Sequence, residues 1–259
     1  MINETRFYVL ALSQKAVRLL DCTRDGVVPV LLSDVPQDIE QTQPEGPTAH
    51  LRRHSLPMGG PEGGIFHAHG VGTEDVDMIN VKRYFQQAED GLRQRLAGER
   101  VPLILVCVEY LAPIYREVST YRFILEEIIA GNPDGVPDDE LQRKARPIAD
   151  RHFEQARGKA IAEYYEGIAK GRASHTLPDV LTAAFQGRIA TLFIPLGMRR
   201  WGRFDFNRLV LEEHDREKPG DEELLDLAAA QTLRHDGKVY SMKPEEIPGG
   251  HLLASVYRY

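Results

Sequence analysis

Cysteine is almost absent from this chain: Cys22 and Cys107 are the only two in 259 residues. Both fall in apolar, strand-like runs, so they read as buried, reduced thiols rather than a disulfide framework or a thiolate metal centre. No apolar run approaches the roughly 18 residues that span a bilayer. The start, Met1 to Arg6, lacks the basic region and apolar stretch of a secretory signal. Together these shortages predict a cytoplasmic chain with no membrane partner. Positive charge is also short: 32 Lys and Arg against 39 Asp and Glu leave a net charge of −7. That excludes the chain-wide basic surface of a dedicated nucleic-acid binder. Any RNA contact must come from local patches or from docking into a larger particle. There is no Ser-His-Asp order, no Walker loop and no dinucleotide fingerprint between a strand and a helix, and no cofactor is expected.

What the chain does have is enough apolar residue, 42%, to bury a core, and enough length for two domains. Phe7–Leu12, Ala16–Cys22 and Val27–Leu32 are short apolar runs, the last two joined by Asp25-Gly26, and predict a three-strand meander. Residues 33–64 are rich in Pro, Gly, Gln and His, without periodicity. The stretch from Pro36 to Gly72 is therefore expected to be the least ordered internal segment. Val76, Ile79, Phe85, Ala88, Leu92 and Leu96 recur at helical steps. Val101–Val108 predicts a buried strand, and Tyr115–Ala130 a helix ending at Gly131-Asn-Pro. Asp138 caps a long helix running to Gly171, which Pro147 should kink or split. A helix from Thr176 to Phe185, strands at Arg188–Ile194 and Phe206–Glu212, a helix over 222–235 with Gly237 as its left-handed cap, and two closing strands complete the chain. Strands and helices alternate, so the class is α/β. The expected domains are 1–135 and 176–259, with a helical connection over 136–175.

Candidate sites gather in two places. Gly70 and Gly72 let backbone N–H groups come close to a phosphate or a developing oxyanion, with Thr73 and Glu74 at the start of the following helix. Around them lie Arg52, Arg53, His67, His69, Lys82 and Arg83, candidates for RNA contact. His67 and His69, with His54 or Glu74, are too few for a confident metal site, and none is expected. The second patch is Arg199, Arg200, Trp201 and Arg203: arginine pairs with phosphate while tryptophan stacks on a base. The acidic excess gathers at Glu212–Asp226, where it reads as a solvated loop and a helix N-terminus.

Six short segments occur in order along nearly the whole chain: Phe7-Tyr-Val-Leu-Ala-Leu-Ser-Gln, His69-Gly-Val-Gly, Gly131-Asn-Pro-Asp, Ala183-Ala-Phe-Gln-Gly-Arg, Arg200-Trp-Gly and Ala254-Ser-Val-Tyr-Arg-Tyr. In these the chain resembles the bacterial relatives of the archaeo-eukaryotic peptide chain release factors and Pelota. The resemblance implies an RNase H-like mixed sheet with helices, like the release-factor middle domain, carrying a glycine loop near 59–74. It implies a C-terminal α/β/α domain after it. It also implies the ribosome, with tRNA and rRNA, as partner, and Gly70, Gly72 and Thr73 as the residues at the peptidyl-tRNA ester. Thr73 stands where the family's Gly-Gly-Gln motif has glutamine. The chain begins almost at once with a strand, so no stop-codon-reading region is expected. Three readings follow: a translation factor that hydrolyses peptidyl-tRNA in release or rescue, a non-catalytic ribosome or RNA-binding factor, and a metal-dependent nuclease or hydrolase using the loop histidines.

Overall fold

A computed structural model describes residues 6–32 and 73–259, with side chains from Met78 onward in the second stretch. The expectation for Pro36 to Gly72 lies outside the described residues. The chain divides into two compact units, one ending at Asp150 and one running from Arg151 to Tyr259.

The first unit is built on β1 (Phe7–Leu12), β2 (Val17–Cys22), β3 (Val27–Val30), β4 (Leu103–Cys107) and β5 (Ile129–Ala130). They lie in the order β3-β2-β1-β4-β5. The meander β1-β2-β3 is antiparallel, whereas β4 joins β1 in parallel and β5 joins β4 in parallel, which gives the mixed, RNase H-like sheet. Every residue of β1 and of β4 is buried, as expected of central strands covered on both faces. Tyr8, Leu10, Leu12, Leu103, Leu105 and Cys107 share one face with α1 (Thr73–Leu96) and α2 (Leu111–Val118). Burial pushes the Cys22 thiol up to about 12 and that of Cys107 up to about 11, so both are protonated, poor nucleophiles.

On α1 the buried stripe is Val81, Tyr84, Phe85, Ala88, Leu92 and Leu96. Ile79, expected in that stripe, is exposed. The expected helix over Tyr115–Ala130 is corrected: α2 starts earlier, at Leu111, and ends at Val118. The cause is local. Ser119 is extended, and the Thr120 N–H and Oγ1 both donate to Glu89 Oε1, at 2.7 and 3.0 Å. That captures the amide a continuing helix would use. Ile129 and Ala130 then pair with β4 instead.

α3 (Asp138–Ala169) is continuous through Pro147, with no split, and the boundary between the units falls within it. In the second unit, β6 (Ala173–Ser174), β7 (Ile189–Pro195), β11 (Lys238–Met242) and β12 (Ala254–Tyr257) form a sheet in the order β11-β7-β12-β6. Leu192 and Ile194 face α4 (Leu177–Phe185) and α5 (Leu224–Arg234). Phe193, one residue out of phase, packs with Ala160 and Tyr164 of α3 on the opposite face. This is an α/β/α sandwich built on the period-two alternation of β7.

The exit of α5 differs from expectation. The left-handed residue is Asp236 (φ 57°), not Gly237. Gly237 is needed for space: a Cβ there would lie 2.5 Å from Thr232 Cγ2 and 2.8 Å from the Ile189 carbonyl oxygen. The closing Arg258 is structural, its Nε donating to Ile189 O at 3.1 Å and its Nη2 to His235 O.

Candidate nucleic-acid interface

A third, smaller sheet carries Trp201 and Arg203 of the second basic patch. β8 (Trp201–Asp205), β9 (Val210–His214) and β10 (Glu222–Glu223) run in the order β10-β8-β9, all antiparallel. The sequence reading placed one strand at Phe206–Glu212. The structure places a turn over 206–209 and starts the strand only at Val210, because Asp205 Oδ1 accepts from the backbone N–H of Asn207 (2.9 Å) and of Arg208 (3.2 Å). Leu209 completes the turn at φ 55°, a conformation L residues seldom adopt, with its side chain half exposed.

Register sorts the side chains of this hairpin. Trp201 pairs with His214, Arg203 with Glu212, and Phe204 with Leu211. Directly opposed residues leave a sheet on the same side, and neighbours alternate. Phe204 and Leu211 join the core of α4 and α5, and a Cβ on Gly202 would lie 2.9 Å from Leu224 Cδ1 on that same side. Trp201, Arg203, Glu212 and His214 therefore share the outward face.

Against Arg203 and His214 packs Asp221, whose side chain has no exposed surface. Its Oδ2 accepts from His214 Nδ1 at 2.9 Å and from the Lys218 N–H at 2.9 Å. Its Oδ1 has no hydrogen-bond partner and lies 3.4 Å from Arg203 Nε. Loss of water pushes this carboxyl up, but the Lys218 N–H, His214 and Arg203 together hold it below the usual carboxylate value. Arg203 Nη2 also donates to Pro219 O, and Gly220 (φ 86°) lets the guanidinium close in: a Cβ there would lie 3.1 Å from Nη2. Glu223 is occupied as the cap of α5, accepting from the Asp226 N–H at 2.6 Å and from the Arg200 N–H at 2.7 Å.

The remaining candidates divide as follows. Arg52, Arg53, His67, His69, Gly70 and Gly72 lie outside the described residues. Thr73 is the first residue of α1. Lys82 forms an ion pair with Glu117 at 2.5 Å, and Arg83 is exposed. Arg199 and Arg200 are exposed ahead of β8, and Trp201 is half-buried as its first residue. Lys82 and Arg83 belong to the first unit, Arg199 to Trp201 to the second. His214 and Asp221 were missed, because the acidic run hid them. The available signal was the alternation Trp201-x-Arg203 followed by the Asp205-Phe-Asn turn residues. Among the described residues, no group of three His, Cys, Asp or Glu side chains is placed to hold a metal, and no helix is long and apolar enough to cross a membrane.

Residues 6–188 match the family described as Bacterial archaeo-eukaryotic release factor family 3. No curated protein matches the chain. Among solved structures, Pelota of Archaeoglobus fulgidus is 15% identical, over 98% of this chain and 64% of that one, with a TM-score of 0.35. Archaeal Pelota, from a model of ribosome-bound Pelota and ABCE1, is 13% identical, over 98% and 62%, with a TM-score of 0.49. Dom34 of S. cerevisiae, described as a translation termination-like factor involved in RNA quality control pathways and interacting with Hbs1, is 9% identical, over 98% and 63%, with a TM-score of 0.49. The chain spans less than two thirds of the length of each of these solved relatives.

Proposed function

From its membership of the bacterial archaeo-eukaryotic release factor family 3, to which this chain belongs, we propose that it is a translation factor that works on the ribosome, in peptide release or in the rescue of stalled ribosomes. The observation that carries the reading is the family match itself, which takes in the whole first unit and continues through α4. Such a factor acts in the cytoplasm, with tRNA and rRNA as the surfaces it meets.

The chemistry open to it is ester hydrolysis of peptidyl-tRNA. In that reading Gly70 and Gly72 bring backbone N–H groups to the ester, and ribosomal RNA supplies most of the transition-state stabilisation. α1 suits this role. It begins at Thr73, directly after the two glycines in sequence, and is anchored along its length by Tyr84, Phe85 and Leu92, each fully buried. The second reading is a factor that binds without hydrolysing. What favours it is Thr73 itself: a threonine hydroxyl is shorter than a glutamine amide and offers one donor where the amide offers two.

One experiment separates them. The protein is sedimented with ribosomes, and release of labelled peptide from stalled complexes is followed for the wild type, Gly70→Ala/Gly72→Ala and Thr73→Gln. Co-sedimentation with release that the glycine variant loses supports the hydrolase. Co-sedimentation with no release from either the wild type or Thr73→Gln supports the binding factor. A protein that never moves with ribosomes sinks both.

A further inference from the structure

We propose that Trp201, Arg203 and His214 form a platform for one nucleotide of a single-stranded nucleic acid, with Asp221 as the residue that positions it. The proposal deepens the translation reading and rests on it only for where such a strand would be met.

An Asp221 side chain with no exposed surface and one oxygen lacking a hydrogen bond is costly unless a cation stands beside it, and the Arg203 guanidinium does. Asp221 fixes both Arg203 and His214. His214 donates its Nδ1–H to the carboxylate, which leaves Nε2 as the ring nitrogen outside that bond. Arg203 is held through Nε and Nη2, by Asp221 and by the Pro219 carbonyl, and backed by Gly220, while its side chain stays 54% exposed. Among the described residues Nη1 of Arg203 and Nε2 of His214 have no hydrogen-bond partner. Nη1 is a donor of fixed direction for a phosphate oxygen, and Nε2 becomes a second donor when the ring is protonated. Trp201 lies directly opposite His214 in register and leaves the sheet on the same side. A partly exposed indole beside a phosphate grip suits a base that is free to stack, which a duplex does not offer.

Two of the carboxylates nearby are engaged elsewhere. Glu223 is spent on the α5 cap, and Asp205 on its own turn. Glu212, opposite Arg203, is the exposed acid that opposes binding.

The test uses the only tryptophan in the chain. The full chain is titrated with an eight-nucleotide ribo-oligomer and with its deoxyribo counterpart, and indole emission is followed. Saturable quenching by either is expected, and a duplex of the same sequence should quench far less. By anisotropy of a labelled oligomer, Trp201→Ala should weaken binding at least about tenfold. Asp221→Asn should weaken it with folding intact by circular dichroism, while Glu212→Gln should tighten it. Arg203→Gln should make the plot of log affinity against log salt shallower by about 0.7. Unchanged emission with both oligomers overturns the platform, as does undiminished binding by Trp201→Ala. An emission change with RNA-free ribosomal protein alone assigns the face to a protein and overturns it too. Wild-type protein that sediments with ribosomes but ignores both oligomers leaves the translation reading standing without the platform.

Discussion

Two buried carboxylates, Glu89 in the first unit and Asp221 in the second, are treated in opposite ways. Glu89 is enclosed by neutral donors: the Tyr115 hydroxyl at 2.9 Å and the N–H and hydroxyl of Thr120. Every donor it engages is used up inward, and the cluster ends α2. Asp221 is met by a histidine and an arginine that, among the described residues, each keep a nitrogen without a hydrogen bond. A carboxylate satisfied by groups with nothing left to give is a rivet. A carboxylate that orients groups with a nitrogen to spare is a mount. The sheets around them follow suit: β1 is buried at all six positions, whereas β9 has no buried residue.

The largest effect should come from the riveted side. Leu10→Ala, at the centre of β1 and fully buried, should cost about 2–5 kcal/mol in urea unfolding. Val210→Ala, half exposed in β9, should stay within about 0.5 kcal/mol. Comparable losses would erase the contrast between the sheets. Next, Glu89→Ala should cost about 1–3 kcal/mol, since it strands the hydroxyl of the fully buried Tyr115. Glu89→Gln keeps an acceptor and should cost less, and equal losses would mean that packing rather than hydrogen bonding is the rivet.

For the mount, the expected signature is a dependence on pH. The Asp221 carboxyl titrates lower in the folded chain than in the unfolded one. The unfolded state therefore takes up its proton first on acidification. The stability Asp221 contributes is complete above the ordinary carboxylate value of about 4 and is lost as pH falls below it. Denaturation midpoints of wild type and Asp221→Asn should differ at neutral pH and converge in acid; a constant gap would refute the linkage. The smallest effect is a gain. Leu209→Gly should stabilise the hairpin by about 0.5–1 kcal/mol, because glycine adopts φ 55° freely. A loss would mean that the Leu209 side chain holds the turn.

How much of this was legible in the sequence depended on whether the signal was local. The meander β1-β2-β3 and the span of α4 could be read from apolar runs and turn residues, since neighbours in sequence decide them. The end of α2 could not, because the group that stops it, Glu89, stands 31 residues upstream. At the hairpin, a period-two pattern only five residues long on each side was too short to outweigh the acids around it. At Gly237 the residue was right and the reason was not. Crowding by Thr232 and Ile189, rather than a left-handed turn, asks for glycine there.

β12 lies between β7 and β6, not at an edge of its sheet. Its residues, Ala254–Tyr257, are synthesised more than fifty residues after β7. During translation the first unit has all five of its strands by Ala130 and can close while the rest is still being made. The second unit cannot. β7 must wait with one of its two flanks unpaired until residues 254–257 leave the exit tunnel, so the half-made sheet is the stage at which this chain is most exposed to mispairing.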